Sequence, residues 1–217
     1  MANGPRRKLV TWLLLLSVPP SSATTISPKW YTSRDPSFKI FRSTLAKAVA
    51  KRDARVLRTL LSPELIFSYA GIEGPDEFLK IYDLSNKSSA IWGELSRVLA
   101  LGGVFEQQGV YVAPYAYSEF PVDREPWKYV VVVARGATLV SAPREDGTIF
   151  ARVPNEILER ARKPGEDEEW IEVRYAGAGA WIRSAHVWDP TSPHLVARKL
   201  GGKWLITDYI FVEMPNQ

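Results

Sequence analysis

The chain reads as an α+β protein: a helical N-terminal half, a small β-barrel, and a C-terminal β-hairpin that packs back on the helices. Three observations predict this. Apolar residues recur at helical spacing between Asp35 and Leu101, with prolines and carboxylates at the helix starts. After Gly102-Gly103, proline, glycine and β-branched residues replace the helix formers, in short runs separated by turns. Near the end, Gly201-Gly202 separates two apolar-rich runs, which suits the primed turns of hairpins.

The elements follow in order. Residues 24–34 are polar with scattered aromatics and read as a loose arm. Asp35-Pro36 starts a helix, with a capping carboxylate and proline at the first helical position. Phe38, Phe41, Leu45, Ala48 and Val49 form its apolar stripe. Asp53 caps a second short helix carrying Val56, Leu57, Leu60 and Leu61, and Ser62-Pro63 ends it. Leu65–Tyr69 reads as a strand. Gly74-Pro75-Asp76-Glu77 starts a third helix, with both carboxylates in the first turn, where the helix dipole favours them. A fourth helix fits Ser89–Leu101 and stops at Gly102-Gly103.

Beyond it, Tyr129–Val133 is a clear strand run. Leu139-Val140, Ile149-Phe150, Trp170–Tyr175 and Trp181-Ile182 are further short strands, at a spacing that suggests a small barrel. Glu166–Glu169 is an acidic run that reads as a solvated loop. The closing hairpin joins Leu195–Leu200 to Lys203–Val212. The expected organisation is 24–127 as a mainly helical domain, 128–188 as the barrel and 189–217 as the hairpin.

Residues 1–23 carry a different signal. Arg6, Arg7 and Lys8 precede an apolar run of about ten residues, and a membrane-spanning helix needs about 20. Pro19-Pro20 breaks the run, and Ser21-Ser22-Ala23 supplies the small residues of a cleavage site. This is the layout of a secretory leader. Export to the periplasm or the extracellular space is expected, with no stable membrane span after cleavage.

Of 217 residues, 28 are basic and 24 acidic, a net of +4. Without the leader's three cations, 25 basic face 24 acidic residues, a net of +1. The basicity therefore belongs mostly to the leader, and a nucleic-acid partner is not expected. Cysteine is absent, which excludes thiol catalysis, thiolate metal sites and disulfides. Two histidines, His186 and His194, are a poor basis for a metal site and read as surface residues. No cofactor is expected.

Residues 128–188 resemble the bacterial SH3-like domains. The resembling features are Leu139-x-x-x-Pro143, Trp170-Ile171-Glu172-Val173 and Gly177-x-Gly179-Ala180-Trp181-Ile182. Val140 stands where the family has arginine, and Ala180 where it has glycine. The flanking segments are similar to exported bacterial proteins known only for such a domain, at Ala48-Val49-x-x-Arg52-Asp53, Leu99-x-Leu101-Gly102-Gly103, Ala113-Pro114-Tyr115 and Gly202-Lys203-Trp204. The helix pair around Asp53 and the Gly-Lys-Trp hairpin also resemble parts of the nuclear transport factor 2-like fold. That second resemblance implies a barrel inserted between the helices and the last hairpin, and a host that can hold a pocket.

Strand alternation selects the candidate site. If Tyr175 opposes Ala180, then Ile171, Val173, Tyr175 and Ile182 share the inner face. Trp170, Glu172, Arg174, Trp181 and Arg183 share the outer one, where Arg174 can stack on Trp181. Tyr115 and Tyr117, with Tyr111 and Phe120 around Pro114 and Pro121, form a second aromatic set suited to a peptide or sugar groove. Paired carboxylates for glycoside hydrolysis are not evident, because Asp76 and Glu77 are helix neighbours that do not face each other, and Glu94 has no evident partner. No Gly-x-Ser-x-Gly elbow is present.

The expected function is a non-enzymatic binding or scaffolding role in the bacterial envelope, with peptidoglycan or an envelope protein as partner. That ligand comes from the resemblance alone. The alternative is a pocket protein that binds a small molecule or acts as an unusual enzyme. Leader cleavage is the directly testable part. N-terminal sequencing of protein from the envelope fraction should find a start near Thr24. Cytosolic protein that retains Met1 or begins at Ala2 would contradict export.

Overall fold

The computed structural model describes residues 24–28, 35–67, 74–163 and 169–210. The expected leader lies outside them, as do most of the acidic run and the end of the closing strand. Helix α1 (Pro36–Lys51) starts where the Asp35 carboxylate accepts the Ser37 N–H at 2.8 Å and Pro36 supplies a helical φ. All five residues of its expected stripe are buried. Asp53 caps α2 (Ala54–Arg58) by accepting the Val56 N–H at 3.0 Å.

Strand β1 (Leu61–Ile66) follows at once, earlier than expected and with Pro63 inside it. It is an edge strand, parallel to a single neighbour, and its register breaks between Leu61 and Ile66. A proline with no N–H is tolerated in such a place. Helix α3 (Pro75–Ile81) follows Gly74, and α4 (Ile91–Ala100) buries Ile91, Trp92, Leu95 and Val98. At Gly103 a Cβ would fall on the Val112 carbonyl oxygen and lie 2.8 Å from the Tyr111 ring, so only glycine lets the two segments pass. Strands β2 (Val104–Gln107) and β3 (Val110–Ala113) and the single-turn helix α5 (Tyr115–Ser118) come next, none of them expected from the sequence pattern.

The chain then forms β4 (Tyr129–Val132), β5 (Thr138–Val140), β6 (Ile149–Arg152), β7 (Ile157–Arg160), β8 (Trp170–Tyr175), β9 (Ala178–Arg183) and β10 (Val187–Trp188). It closes with β11 (His194–Leu200) and β12 (Lys203–Ile210). Leu200 faces Lys203 across Gly201 (φ 54°) and Gly202 (φ 82°), the two positive φ values of a type I′ turn.

Two sheets result, and the fold is α+β. One has five strands in the order β1-β12-β11-β3-β2. The other has seven, in the order β10-β4-β7-β8-β9-β5-β6. Strands β3 and β11 are antiparallel neighbours, from Val110 opposite Arg198 to Ala113 opposite Leu195. The whole seven-stranded sheet lies between them in sequence. The 24–127 segment thus contributes three strands as well as helices, and the last hairpin completes their sheet.

Each sheet has its own core. The first joins the five-stranded sheet to α1, α3 and α4. The second lies within the seven-stranded sheet and includes Val132, Leu139, Leu158, Val173 and Ile182. Val131, Ile157 and Trp188 turn the other way and join the first core. Arg97 of α4 donates to the Val187 carbonyl and lies 5.4 Å from the Trp188 ring centre. Arg160 pairs with Asp189 beside it. The start of the arm is tied down rather than loose: Thr25 bridges Glu156, the Ile26 N–H donates to the Asn155 carbonyl at 2.8 Å, and Ile26 is buried. Among the described residues no helix is long and apolar enough to cross a membrane.

Trp204 sits where hairpin and helices meet. It is 5% exposed, and its ring lies 4.9 Å from Phe38 and 5.9 Å from Phe105. Its indole N–H donates to Asp35 at 3.2 Å. Trp204→Ala should cost about 3–5 kcal/mol. A urea melt checks this, and a loss under about 1 kcal/mol would contradict it.

Candidate functional site

Hairpin β8–β9 turns at Ala176-Gly177, both with positive φ. Val173, not Tyr175, lies opposite Ala180, and Tyr175 lies opposite Ala178. The shift is two residues, so every side chain keeps its expected face. Ile171, Val173 and Ile182 are buried inside. Opposite pairs on the outer face are Trp170 with Arg183, Glu172 with Trp181, and Arg174 with Gly179. Trp170, Glu172, Trp181 and Arg183 are half-buried and Arg174 is exposed.

The arginines on this face are arranged differently from the expectation. Arg183 lies over the Trp170 ring at 4.6 Å and pairs with Glu169 and Glu145. Arg162, from the segment after β7, lies 5.8 Å from the Trp181 ring centre and 3.9 Å from the Glu172 carboxylate. The expected Arg174 stack on Trp181 is therefore replaced by Arg162. The face alternates aromatic planes with ion pairs, and among the described residues its three arginines face three glutamates. Each partly exposed cation–π pair is worth about 0.5–1 kcal/mol. Their main effect is to hold two indoles in fixed orientations. Such a face can stack on a flat ligand surface and offer polar edges beside it.

The second aromatic set divides. Tyr115 is buried in the first core and presents no surface to a ligand. Tyr111 is buried there too, against Phe38 at 4.7 Å. Tyr117 stays half-buried and stacks on His194, with centroids 3.6 Å apart and planes 8° apart. Tyr117, Phe120, Pro121, Val122, Pro126 and Pro190 line a shallow groove of about 360 Å³, with Glu106 and Arg124 at its margin. It lies where the chain leaves the first sheet for the second and where it returns.

The carboxylates are taken up in structural pairs. Asp76 binds Arg58 at 2.7 Å, and Glu77 lies 3.5 Å from Lys80. Glu94 does have a partner: it accepts the Tyr209 hydroxyl at 3.2 Å. Burial and that carboxylate push the Tyr209 phenol far above its ordinary value. Among the described residues no group of three or more histidines and carboxylates could hold a metal ion. His194 is buried rather than on the surface, which strand alternation alone could not reveal.

Burial holds the His194 imidazole down from 6.5 to about 4, against the opposing pull of the Asp208 carboxylate. The unfolded chain therefore binds this proton at higher pH than the folded protein. Stability from His194 is complete above about pH 6.5 and is lost as pH falls toward about 4. The Asp35 carboxyl is held far below the usual carboxylate range by Lys199 and Ser37, so its contribution fails only in stronger acid. Urea melts at about pH 7 and about pH 5 should show wild type losing stability and His194→Leu losing markedly less. Equal losses would contradict the buried neutral imidazole. No family model matches the chain, and no curated protein matches it in sequence.

Proposed function

We propose that the chain is an exported, non-enzymatic binding or scaffolding protein of the bacterial envelope. In this reading residues 128–188 are an SH3-like module set into a host of the nuclear transport factor 2-like type. The topology supports the host: α1 and α2 precede a parallel edge strand, and β2, β3, β11 and β12 form an antiparallel meander once the intervening sheet is set aside. A separate core and a single place of exit and return support the module.

One observation carries the functional reading. Trp170 and Trp181 remain partly exposed on one strand face, each held beneath an arginine that is itself paired to glutamate. An indole needed only for the core would be turned inward, as Trp188 and Trp204 are. The face suits peptidoglycan, whose glycan rings and stem peptides offer both flat and polar surfaces, or an extended protein segment. The net charge of +1 expected after loss of the leader makes simple ionic adsorption a poor substitute. The pocket alternative needs a deep cavity between α1 and the closing hairpin, and Phe38, Phe41 and Trp204 are in ring contact in that interior, with an open cleft at its rim beside Asp35.

Sedimentation with purified peptidoglycan tests the reading. Wild type should pellet. Trp170→Ala/Trp181→Ala, shown folded by circular dichroism, should bind at least about tenfold more weakly, because aromatic hot spots cost about 2 kcal/mol or more on truncation. Arg174→Ala, outside the stacked pairs, should change little. Absence of wild-type pelleting would remove peptidoglycan as the ligand. Undiminished pelleting by the folded tryptophan variant would remove this face.

A further inference from the structure

A second cleft lies on the other sheet, at the end where the β2–β3 and β11–β12 strands meet the start of α1. It encloses about 460 Å³ and is lined by Asp35, Phe105, Gln107, Gln108, Gly109, Lys199 and Trp204. That volume falls within the range of small-molecule sites, about 300–1,000 Å³. None of these residues belongs to the β8–β9 face, so the inference stands apart from the reading above. We propose that this cleft binds a neutral saccharide.

Charge argues for the neutral ligand. Asp35 and Lys199 are the charged residues among those lining the cleft, and they pair at 2.8 Å. Among the described lining residues, a bound anion would meet the Asp35 carboxylate beside the one ammonium, Lys199. A bound cation would compete for a carboxylate that already accepts from the Ser37 N–H at 2.8 Å, Lys199 at 2.8 Å and the Trp204 indole at 3.2 Å. Among the described lining residues, neither charge gains a free counterion.

The remaining groups argue for the saccharide. Gln107 and Gln108 are exposed at the β2–β3 turn, and each primary amide offers two N–H donors and one carbonyl acceptor. Adjacent sugar hydroxyls, each both donor and acceptor, match that pattern. Phe105 supplies a partly exposed ring on which a sugar's C–H face can lie. That ring is held by Phe38 at 4.7 Å, Tyr111 at 5.3 Å and Trp204 at 5.9 Å. The turn is fixed as well, because the Lys199 N–H donates to the Gly109 carbonyl at 2.9 Å. A rigid aromatic floor beside two exposed amides loses little freedom on binding.

The test is an NMR titration of the intact ¹⁵N-labelled protein with maltose, with N,N′-diacetylchitobiose and, as charged comparison, with glucose 6-phosphate, each at millimolar concentration. At least one neutral disaccharide should shift the Gln107 and Gln108 side-chain amides and the Trp204 indole N–H, and glucose 6-phosphate should bind more weakly. Gln107→Ala/Gln108→Ala changes two exposed residues, the last of β2 and the first of the turn, and should keep the fold while weakening binding by about tenfold, or roughly 1.4 kcal/mol. Trp170→Ala/Trp181→Ala should bind the sugar as wild type does. Absence of shifts with both disaccharides, preference for the phosphorylated sugar, or unchanged binding by the folded glutamine variant would each overturn the proposal.

Discussion

Strands β3 and β11 pair along four registered positions although the entire seven-stranded sheet lies between them in sequence. Most of the architecture follows from that pairing. Chain that leaves at Ala113 must return at Leu195, one strand spacing away. The intervening residues can do so because they fold around a core of their own. The entropic cost of closing so long a loop grows only slowly with its length, and a compact insert is tolerated on those terms. The junction is then pinned by contacts that cross it. Arg97 reaches the Val187 carbonyl, Trp188 enters the first core, and Arg160 pairs with Asp189.

The same pairing assembles the aromatic centre of the five-stranded sheet. Phe105 and Tyr111 come from one hairpin, Trp204 from the other and Phe38 from α1, and all four rings meet. Asp35 links helix start to hairpin by capping α1 while binding Lys199 and the Trp204 indole. Phe38, Tyr111 and Trp204 of that centre are buried, and Phe105 reaches its edge. The half-exposed aromatics of β8–β9, the proline-lined groove and the cleft beside Asp35 all lie at its margins or beyond them. The division suits a binding protein, with rigid packing inside and fixed, partly exposed rings outside.

Local signals were legible where they are chemically local. The Asp35-Pro36 and Asp53 caps, the α1 stripe and the Gly201-Gly202 turn depend on neighbours in sequence, and each element stands where its signal lies. Strands β2, β3 and β7 were not legible: β3 is buried at all four positions, and neither β2 nor β7 alternates buried and exposed residues. Pro63 misled because its meaning depends on β1 being an edge, which only the sheet order reveals. The outer face of β8–β9 was readable from alternation. Its cation–π partners were not all readable, since Arg162 lies beyond the hairpin. The burial of Tyr115 and His194 and the stacking of Tyr117 on His194 were not readable, because they are set by residues distant in sequence. The cleft collects residues from three separate segments and left no trace in any one of them.

The measurement that bears most directly on this account is native-state hydrogen exchange across the two sheets. If the β3–β11 pairing is the closure on which the first sheet depends, the paired amides of β3 and β11 should exchange only through global opening of that sheet, together with those joining β11 to β12. Amides of edge strand β6 should exchange sooner, through local opening. Rapid exchange along β3 and β11, while the seven-stranded sheet and α1 stay protected, would contradict the central role given to that pairing.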